Sequence, residues 1–402
     1  MRNLLILAYA FPPQNTVGAA RPFRFHKYLP EFGYKPYVIT ASDGGSTSFP
    51  NVIRVPEPLM GSYPARLIEG FLRSQTEEGM VWQVPAVRAA RRLMKEARFD
   101  AILSTSPPVS THLAAQTLAR DLALPWVADF RDALVFNMLC IKRSVGRFLN
   151  ARWERQIFED AGAIIGVSQP MMDAWAETYP SLTAKMHLIY NGFDPEDRLT
   201  PRPIPARGHK LIAHVGGLYG QRTPAPALAS FERLLAAGRI SASDVKLELI
   251  GEIEPRILAA CREQFTRLEA LGFLKYRPDH VPRAEAVRAM AEADYLLVLD
   301  NNESNRSYGV PVKLIEYLQI GRPILAFTPE GSPPETMLGN SGIPHAIVRA
   351  NSPAGVIDEQ VGEFLRLSSD ATPASEWFRQ NFDGRIQAAS VAKVLDGIVE
   401  RR

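Results

Sequence analysis

The sequence predicts an α/β protein: two doubly wound halves, each a parallel sheet with helices on its faces, and a helical tail. Three observations predict it. Through most of the 402 residues, short apolar runs alternate with amphipathic helical stretches, the pattern of βα units in a parallel sheet. A proline-rich bridge at 200–207 (TPRPIPAR) breaks the alternation midway, after which it restarts; such a stretch is semi-rigid and suits a domain linker. From Glu376 onward the chain reads as two helical segments with no strand after them.

In the first half, NLLILAY (3–9) reads as a strand, 19–33 as a helix and PYVITA (36–41) as a strand, followed by an irregular stretch. A basic amphipathic helix spans 86–97, AILST (101–105) is a strand, and a helix follows STSPPVSTHLA. WVADF (126–130), AIIGVS (163–168) and HLIYNG (187–192) are strands, with a helix at 150–161. Beyond the linker, strands are expected at 210–217, 246–252, 274–276, 295–300, 323–327 and 345–348. Helices alternate with them at 224–237, 255–270, 283–292, 311–320 and 333–339. Two Rossmann-like domains joined this way form a cleft, and ligands of such sheets bind beyond the carboxyl ends of the strands.

Composition removes several classes. With 46% hydrophobic and 22% charged residues the chain is ordinary for a globular protein. A net charge of +3 is too small to argue for nucleic acid. Residues 1–190 carry +5 and the remainder −2, so the first half is the more basic. The two cysteines, Cys140 and Cys261, cannot build a disulfide scaffold or a thiolate metal cluster, and they fit a cytoplasmic setting. No metal site is expected. The apolar run at 4–10 ends in Phe11-Pro12-Pro13 without a small-residue cleavage site, which reads as a buried strand rather than a signal peptide.

Five strand-end loops carry the candidate chemistry. In AYAFPPQNTVGAAR, Gly18 precedes a helix whose free N–H groups favour an anion, and Arg21 adds charge; an ordinary βα turn is the alternative. Ser106 and His112 lie in STSPPVSTHLA, where hydroxyls suit a polyhydroxylated ligand or simply cap a helix. WVADFRD places Asp129, Arg131 and Asp132 at a strand mouth, either as an ion-pair cluster or as groups that hold hydroxyls and accept a proton. VGGLYGQRTP offers Gly216, Gly217 and Gly220 ahead of Arg222, without dinucleotide or Walker A spacing, yet fit for close backbone approach to a phosphate. Finally, in YGVPVKLIEYLQIGRPILAF, Lys313 and Glu316 share one helical face opposite Leu314 and Leu318. A carboxylate there can take two hydrogen bonds from a ribose diol while the ammonium meets a phosphate.

Taken in order, FPPQNTVGAARPFRFHKYLPEFGYKPYVIT, STSPPVSTHLA, PWVADFRD, VSQPM, YNGFD and VPVKLIEYLQIGRPILA resemble the retaining glycosyltransferases of family 4, which have the GT-B fold. The resemblance implies an N-terminal acceptor domain at 1–198, a nucleotide-sugar donor domain at 199–376, and C-terminal helices at 377–402 that pack back on the first domain. It implies a UDP- or GDP-type sugar donor, a glycan or lipid-linked acceptor, and no required cofactor or metal. Glu316 would bind the ribose, Arg222 and Lys313 the diphosphate, with Gly18, Arg21 and Gly217 near the donor. Many members carry an acid eight positions before that glutamate; here Tyr308 stands there, and Glu303 in the preceding loop supplies the acid. Asp129 or Asp132 would orient the acceptor hydroxyl, alongside Ser106, His112 and Arg131. A GT-B epimerase of nucleotide sugars and a non-catalytic nucleotide-sugar or glycan binder are the rival readings. Two basic stretches, Arg88, Arg91, Arg92, Lys95 and Arg98, then Lys142, Arg143, Arg147, Arg152 and Arg155 with interleaved aromatics, form either solvated faces or a surface for an anionic bilayer. The second option places the protein at the inner face of the plasma membrane.

Overall fold

A computed structural model of the chain describes residues 1–14, 16–41, 48–57, 79–135, 144–279, 281–300 and 308–401. They form two compact units, residues 1–195 with 381–402, and residues 196–380.

The first unit is a seven-stranded parallel sheet ordered β3-β2-β1-β4-β5-β6-β7. Its strands are β1 (Arg2–Ala8), β2 (Tyr34–Ala41), β3 (Val52–Val55), β4 (Ala101–Ser106), β5 (Trp126–Phe130), β6 (Ala163–Gly166) and β7 (Met186–Leu188). The central strands are buried along nearly their whole length. That is why they read as unbroken apolar runs: helices cover both faces of a parallel sheet. Direction of winding reverses between β1 and β4, and the β4–β5 register sets Thr105 opposite Asp129. Edge strand β3 falls in the stretch read as irregular, where Arg54 interrupts its four residues, VIRV. Helix Gln169–Thr178, capped by the Ser168 hydroxyl, is a further addition to the pattern.

The tail returns to this unit. Helix Gly384–Val399 starts at Asp383, whose carboxylate accepts from the Arg385 and Ile386 amides. It buries Ala388, Val391, Ala392 and Leu395 against the core of β1 and helix α1 (Val17–Tyr28). Close approach depends on Gly192, because a Cβ there would lie 2.1 Å from the Phe382 carbonyl oxygen. Beside it, Phe193 N–H donates to Phe382 at 2.9 Å and Gly384 N–H donates back to Phe193 at 2.9 Å.

The second unit is a six-stranded parallel sheet ordered β10-β9-β8-β11-β12-β13. These are β8 (Lys210–Val215), β9 (Val245–Ile250), β10 (Leu274–Arg277), β11 (Tyr295–Leu299), β12 (Ile324–Phe327) and β13 (His345–Val348). The helix expected over 255–270 is two helices, Pro255–Ala260 and Arg262–Ala270, because Cys261 leaves helical geometry as its side chain enters the core. Helix Ala354–Phe364 is also new relative to the sequence pattern. Winding reverses between β8 and β11, which directs the loops after these two strands to one switch point. Among the described residues no helix is long and apolar enough to cross a membrane.

Candidate functional site

The switch point of the second unit brings predicted residues of the β8 loop and of helix Val312–Ile320 together. Strand β8 ends at His214-Val215, and the chain then turns at Gly216, whose φ of +129° only glycine adopts readily. Beyond the turn, Leu218 pairs with the segment after β9: its N–H donates to Glu252 at 2.9 Å, and Glu254 N–H donates to Leu218 at 2.9 Å. Glu254 also accepts from the Gly220 amide at 2.9 Å, and Arg256 donates to the Gly220 carbonyl at 3.0 Å. The glycine loop is therefore held on both sides by backbone and carboxylate.

Helix Val312–Ile320 faces this turn. Its apolar side, Leu314 and Leu318, is buried, and Lys313 and Glu316 stand on the more open side as the spacing predicts. A Cβ added to Gly216 would sit 2.9 Å from Lys313 Nζ and 3.0 Å from its Cε, so the lysine chain lies on the glycine Cα. Lys313 Nζ donates to His214 Nε2 at 3.0 Å. Burial, with Arg222 second, pulls the ammonium down to about 7, against the opposing pull of Glu316 and Asp300. Arg222, Glu316 and Asp300 are thus each in electrostatic reach of Lys313. Arg222 stacks over the Tyr219 ring at 5.1 Å and donates to its hydroxyl at 3.1 Å. Glu316 accepts from the half-exposed Arg283 guanidinium at 2.6 Å. Gly217 faces the Glu252 carbonyl, and Tyr308 is half-buried after the β11 loop. Glu303 lies outside the described residues.

Two groups here were missed by the sequence reading, His214 and Asp300. Both are almost fully buried, at 1% and 0% exposure. Thr328 donates to Asp300 Oδ2 at 3.0 Å, while Asp300 Oδ1 is buried with no hydrogen-bond partner among the described residues. Their signal in the sequence was position alone: each is the last polar residue of an apolar strand before a loop.

The predicted residues of the first unit are deployed differently. Arg21 and Asp129 are buried against each other at 1% and 0% exposure. Arg21 Nε is 2.9 Å from Asp129 Oδ2 and Arg21 Nη2 is 2.7 Å from Oδ1; Thr105 donates to Oδ2 at 2.7 Å. The guanidinium also donates to the carbonyls of Ile189 and Tyr190. This pair ties α1, β4, β5 and the segment after β7 together.

Arg131 is a clamp. It donates from Nε to the Ser106 carbonyl at 2.9 Å, from Nη2 to Pro107 at 2.7 Å and from Nη1 to Gly18. A Cβ on Gly18 would come within 2.9 Å of that Nη1, so the glycine admits the arginine as well as opening helix α1. His112 is fully buried, its ring 4.3 Å from the Phe130 ring centroid and its Nδ1 2.7 Å from Ser104 Oγ. Burial pushes it down to about 3, so it is neutral at ordinary pH. Asp132 is exposed, and Ser106 is buried at the strand end with its carbonyl on Arg131.

Residues 23–197 match the model of glycosyltransferase family 4. No curated protein sequence matches the chain significantly. Among solved structures, Anabaena Alr3699/HepE in complex with UDP and glucose is similar with a TM-score of 0.65 and 15% identity, covering 99% of this chain and 100% of that one. Sucrose-phosphate synthase from Thermosynechococcus elongatus gives 0.63 and 13%, covering 100% and 97%. UDP-GlcNAc 2-epimerase from Methanocaldococcus jannaschii gives 0.56 and 9%, covering 99% and 100%. Two parallel sheets of seven and six strands, matched over whole chains by these proteins, give this chain the GT-B fold, with residues 23–197 carrying the match to glycosyltransferase family 4.

Proposed function

We propose that this protein is a glycosyltransferase that moves a sugar from a nucleotide-diphosphate sugar to a hydroxyl acceptor with retention of anomeric configuration, without a metal ion, in the making of a surface polysaccharide or glycolipid. The observation that carries this is Lys313 lying on the glycine turn after β8 within electrostatic reach of Arg222, with Glu316 on the same helix as Lys313. Two cations at a loop whose backbone is open to close approach suit a diphosphate. Glu316 would exchange Arg283 for the ribose diol, with Gly217 beside the phosphates and Tyr308 and Glu303 toward the sugar.

In this reading the bond from the anomeric carbon to the diphosphate oxygen breaks, its electrons leaving with the diphosphate. The acceptor oxygen attacks the same face, and its proton passes to the departing phosphate oxygen. Lys313 and Arg222 stabilise the charge that develops there. In the first unit Asp129 is saturated by Arg21 and Thr105, so the exposed Asp132 is the better candidate to orient the acceptor.

A screen of UDP-, GDP- and ADP-sugars by thermal shift, followed by turnover with hydroxyl acceptors and excess EDTA, tests the proposal. A donor at 100 times its Kd should stabilise the protein by about 2.7 kcal/mol, and product should form with the anomeric configuration kept. Donor conversion without any acceptor would favour the epimerase reading. Binding without turnover across the panel would favour a non-catalytic binder.

For a lipid-linked acceptor, a bilayer surface is the partner we favour. Arg88, Arg91, Arg92, Lys95 and Arg98 are exposed, as are Arg147, Arg152, Arg155 and Phe148, the last at 67%. Helices Gln83–Leu93 and Ser144–Asp160 that bear most of them both pack against helix Ser110–Leu122. Lys142 and Arg143 lie outside the described residues. Co-sedimentation with vesicles containing phosphatidylserine is expected at low salt and lost at high salt; no binding at low salt would remove this partner.

A further inference from the structure

His214 is absorbed by none of the roles above, yet it touches the group on which they depend. We propose that His214 is the positioning residue for Lys313: a buried neutral imidazole whose bare Nε2 holds one N–H of the ammonium and so aims the other two at the turn after β8. The inference rests on the reading that Lys313 meets the donor diphosphate.

The contacts at Leu297 and Lys313 point to one tautomer, with the Gly216 carbonyl a further backbone neighbour of the ring. Nδ1 lies 2.9 Å from the Leu297 carbonyl oxygen, which can only accept, so Nδ1 carries the proton and donates. Nε2 is left with its lone pair, 3.0 Å from Lys313 Nζ. The chain of contacts therefore runs from β11 through β8 to helix Val312–Ile320, crossing the switch point of the sheet. An imidazolium would set an N–H against the ammonium, and burial together with Lys313 holds His214 well below its ordinary range. Gly216 closes the other side, its Cα under the lysine's Cε and Nζ.

Lysine is a point charge on a flexible stem, and an unheld ammonium would be ordered only when the ligand arrives. Holding it beforehand removes that cost from binding and from the departure of the diphosphate. The other charged groups that bear on Lys313 come from each neighbouring element: Arg222 in the glycine loop, Glu316 on its own helix and Asp300 at the end of β11. His214 is the neutral member of the set, and it supplies direction without adding charge.

The test uses the full chain. UDP affinity is measured by calorimetry for the wild type, His214→Leu and His214→Gln, and the His214 tautomer is read by histidine-selective nitrogen NMR in the wild type and in Lys313→Met. Leucine removes the acceptor and should weaken UDP binding by about tenfold or more. Glutamine keeps a side-chain oxygen near the Nε2 position and should stay within about threefold. The NMR spectrum should show a proton on Nδ1 and an Nε2 resonance that moves in Lys313→Met. UDP bound as tightly by His214→Leu as by the wild type overturns the proposal and leaves the donor reading standing. If UDP binds none of the proteins while the Nε2 resonance still responds to Lys313→Met, the positioning holds and the donor reading falls. Should His214→Leu not fold, the glutamine variant decides: a loss as large as that of Lys313→Met in a folded protein overturns the proposal, as does a proton found on Nε2.

Discussion

Lys313→Met lowers turnover of the nucleotide-sugar donor by about 10²–10³-fold, the range for removing one group that meets developing negative charge. Methionine keeps the volume of the stem and removes only the charge, so the thermal midpoint should stay within a few degrees of the wild type. The loss is expected mainly in kcat, because charge on the diphosphate grows as the sugar departs. A pH dependence accompanies it. In the free protein Lys313 is drawn down to about 7, chiefly by burial and then by Arg222. A bound diphosphate favours the ammonium and raises that value, so binding takes up a proton when the pH lies above about 7. UDP affinity should therefore be level below that pH and fall above it, and the fall should disappear in Lys313→Met. Wild-type rates in the variant, or an affinity that rises with pH, would remove Lys313 from the reaction.

The reach of the sequence follows the physics of each signal. Strands buried on both faces announce themselves as apolar runs, and WVADF at 126–130 is observed with the bounds that were expected. Strand β3 escapes because Arg54 interrupts its four residues, VIRV, and leaves no unbroken apolar run. The helix break at Cys261 escapes because a cysteine entering the core has no breaker signature. At the site, Lys313 and Glu316 were legible from their three-residue spacing on one helix. Their partners were not, since Lys313 meets His214 from 99 positions away and Glu316 meets Arg283 from 33. His214 reads as a core histidine in an apolar strand, and only the packing of helix against strand shows what it holds. The FRD cluster is the clearest case. Adjacent letters left open an ion-pair cluster or groups that hold hydroxyls and accept a proton; Asp129, in the buried strand, and Arg131, beyond its end, are drawn to different partners.

The Asp129 carboxylate is the place where a structural role and a catalytic one separate by experiment. Arg21→Ala should destabilise the first unit by roughly 3–5 kcal/mol, because it leaves a carboxylate buried without its counter-charge. Asp129 is 0% exposed, and Thr105 would be the one side chain still donating to it among the contacts that hold it here. Asp129→Asn keeps the shape but strands the guanidinium against a neutral amide, so it should also lower stability, by a smaller amount. Replacing both together with apolar residues of similar volume should recover much of the loss, since a buried pair contributes little beyond a well-packed apolar contact. Urea denaturation followed through tryptophan fluorescence reports mainly on this unit, because it holds Trp82, Trp126, Trp153 and Trp175 while Trp377 lies in the other. Asp132→Asn, at an exposed position, should leave the urea midpoint in place and reduce turnover. If Asp129→Asn instead kept full stability and abolished turnover, the carboxylate would belong to the reaction, and the tie between helix α1 and strand β5 would have to be made by the remaining contacts of Arg21.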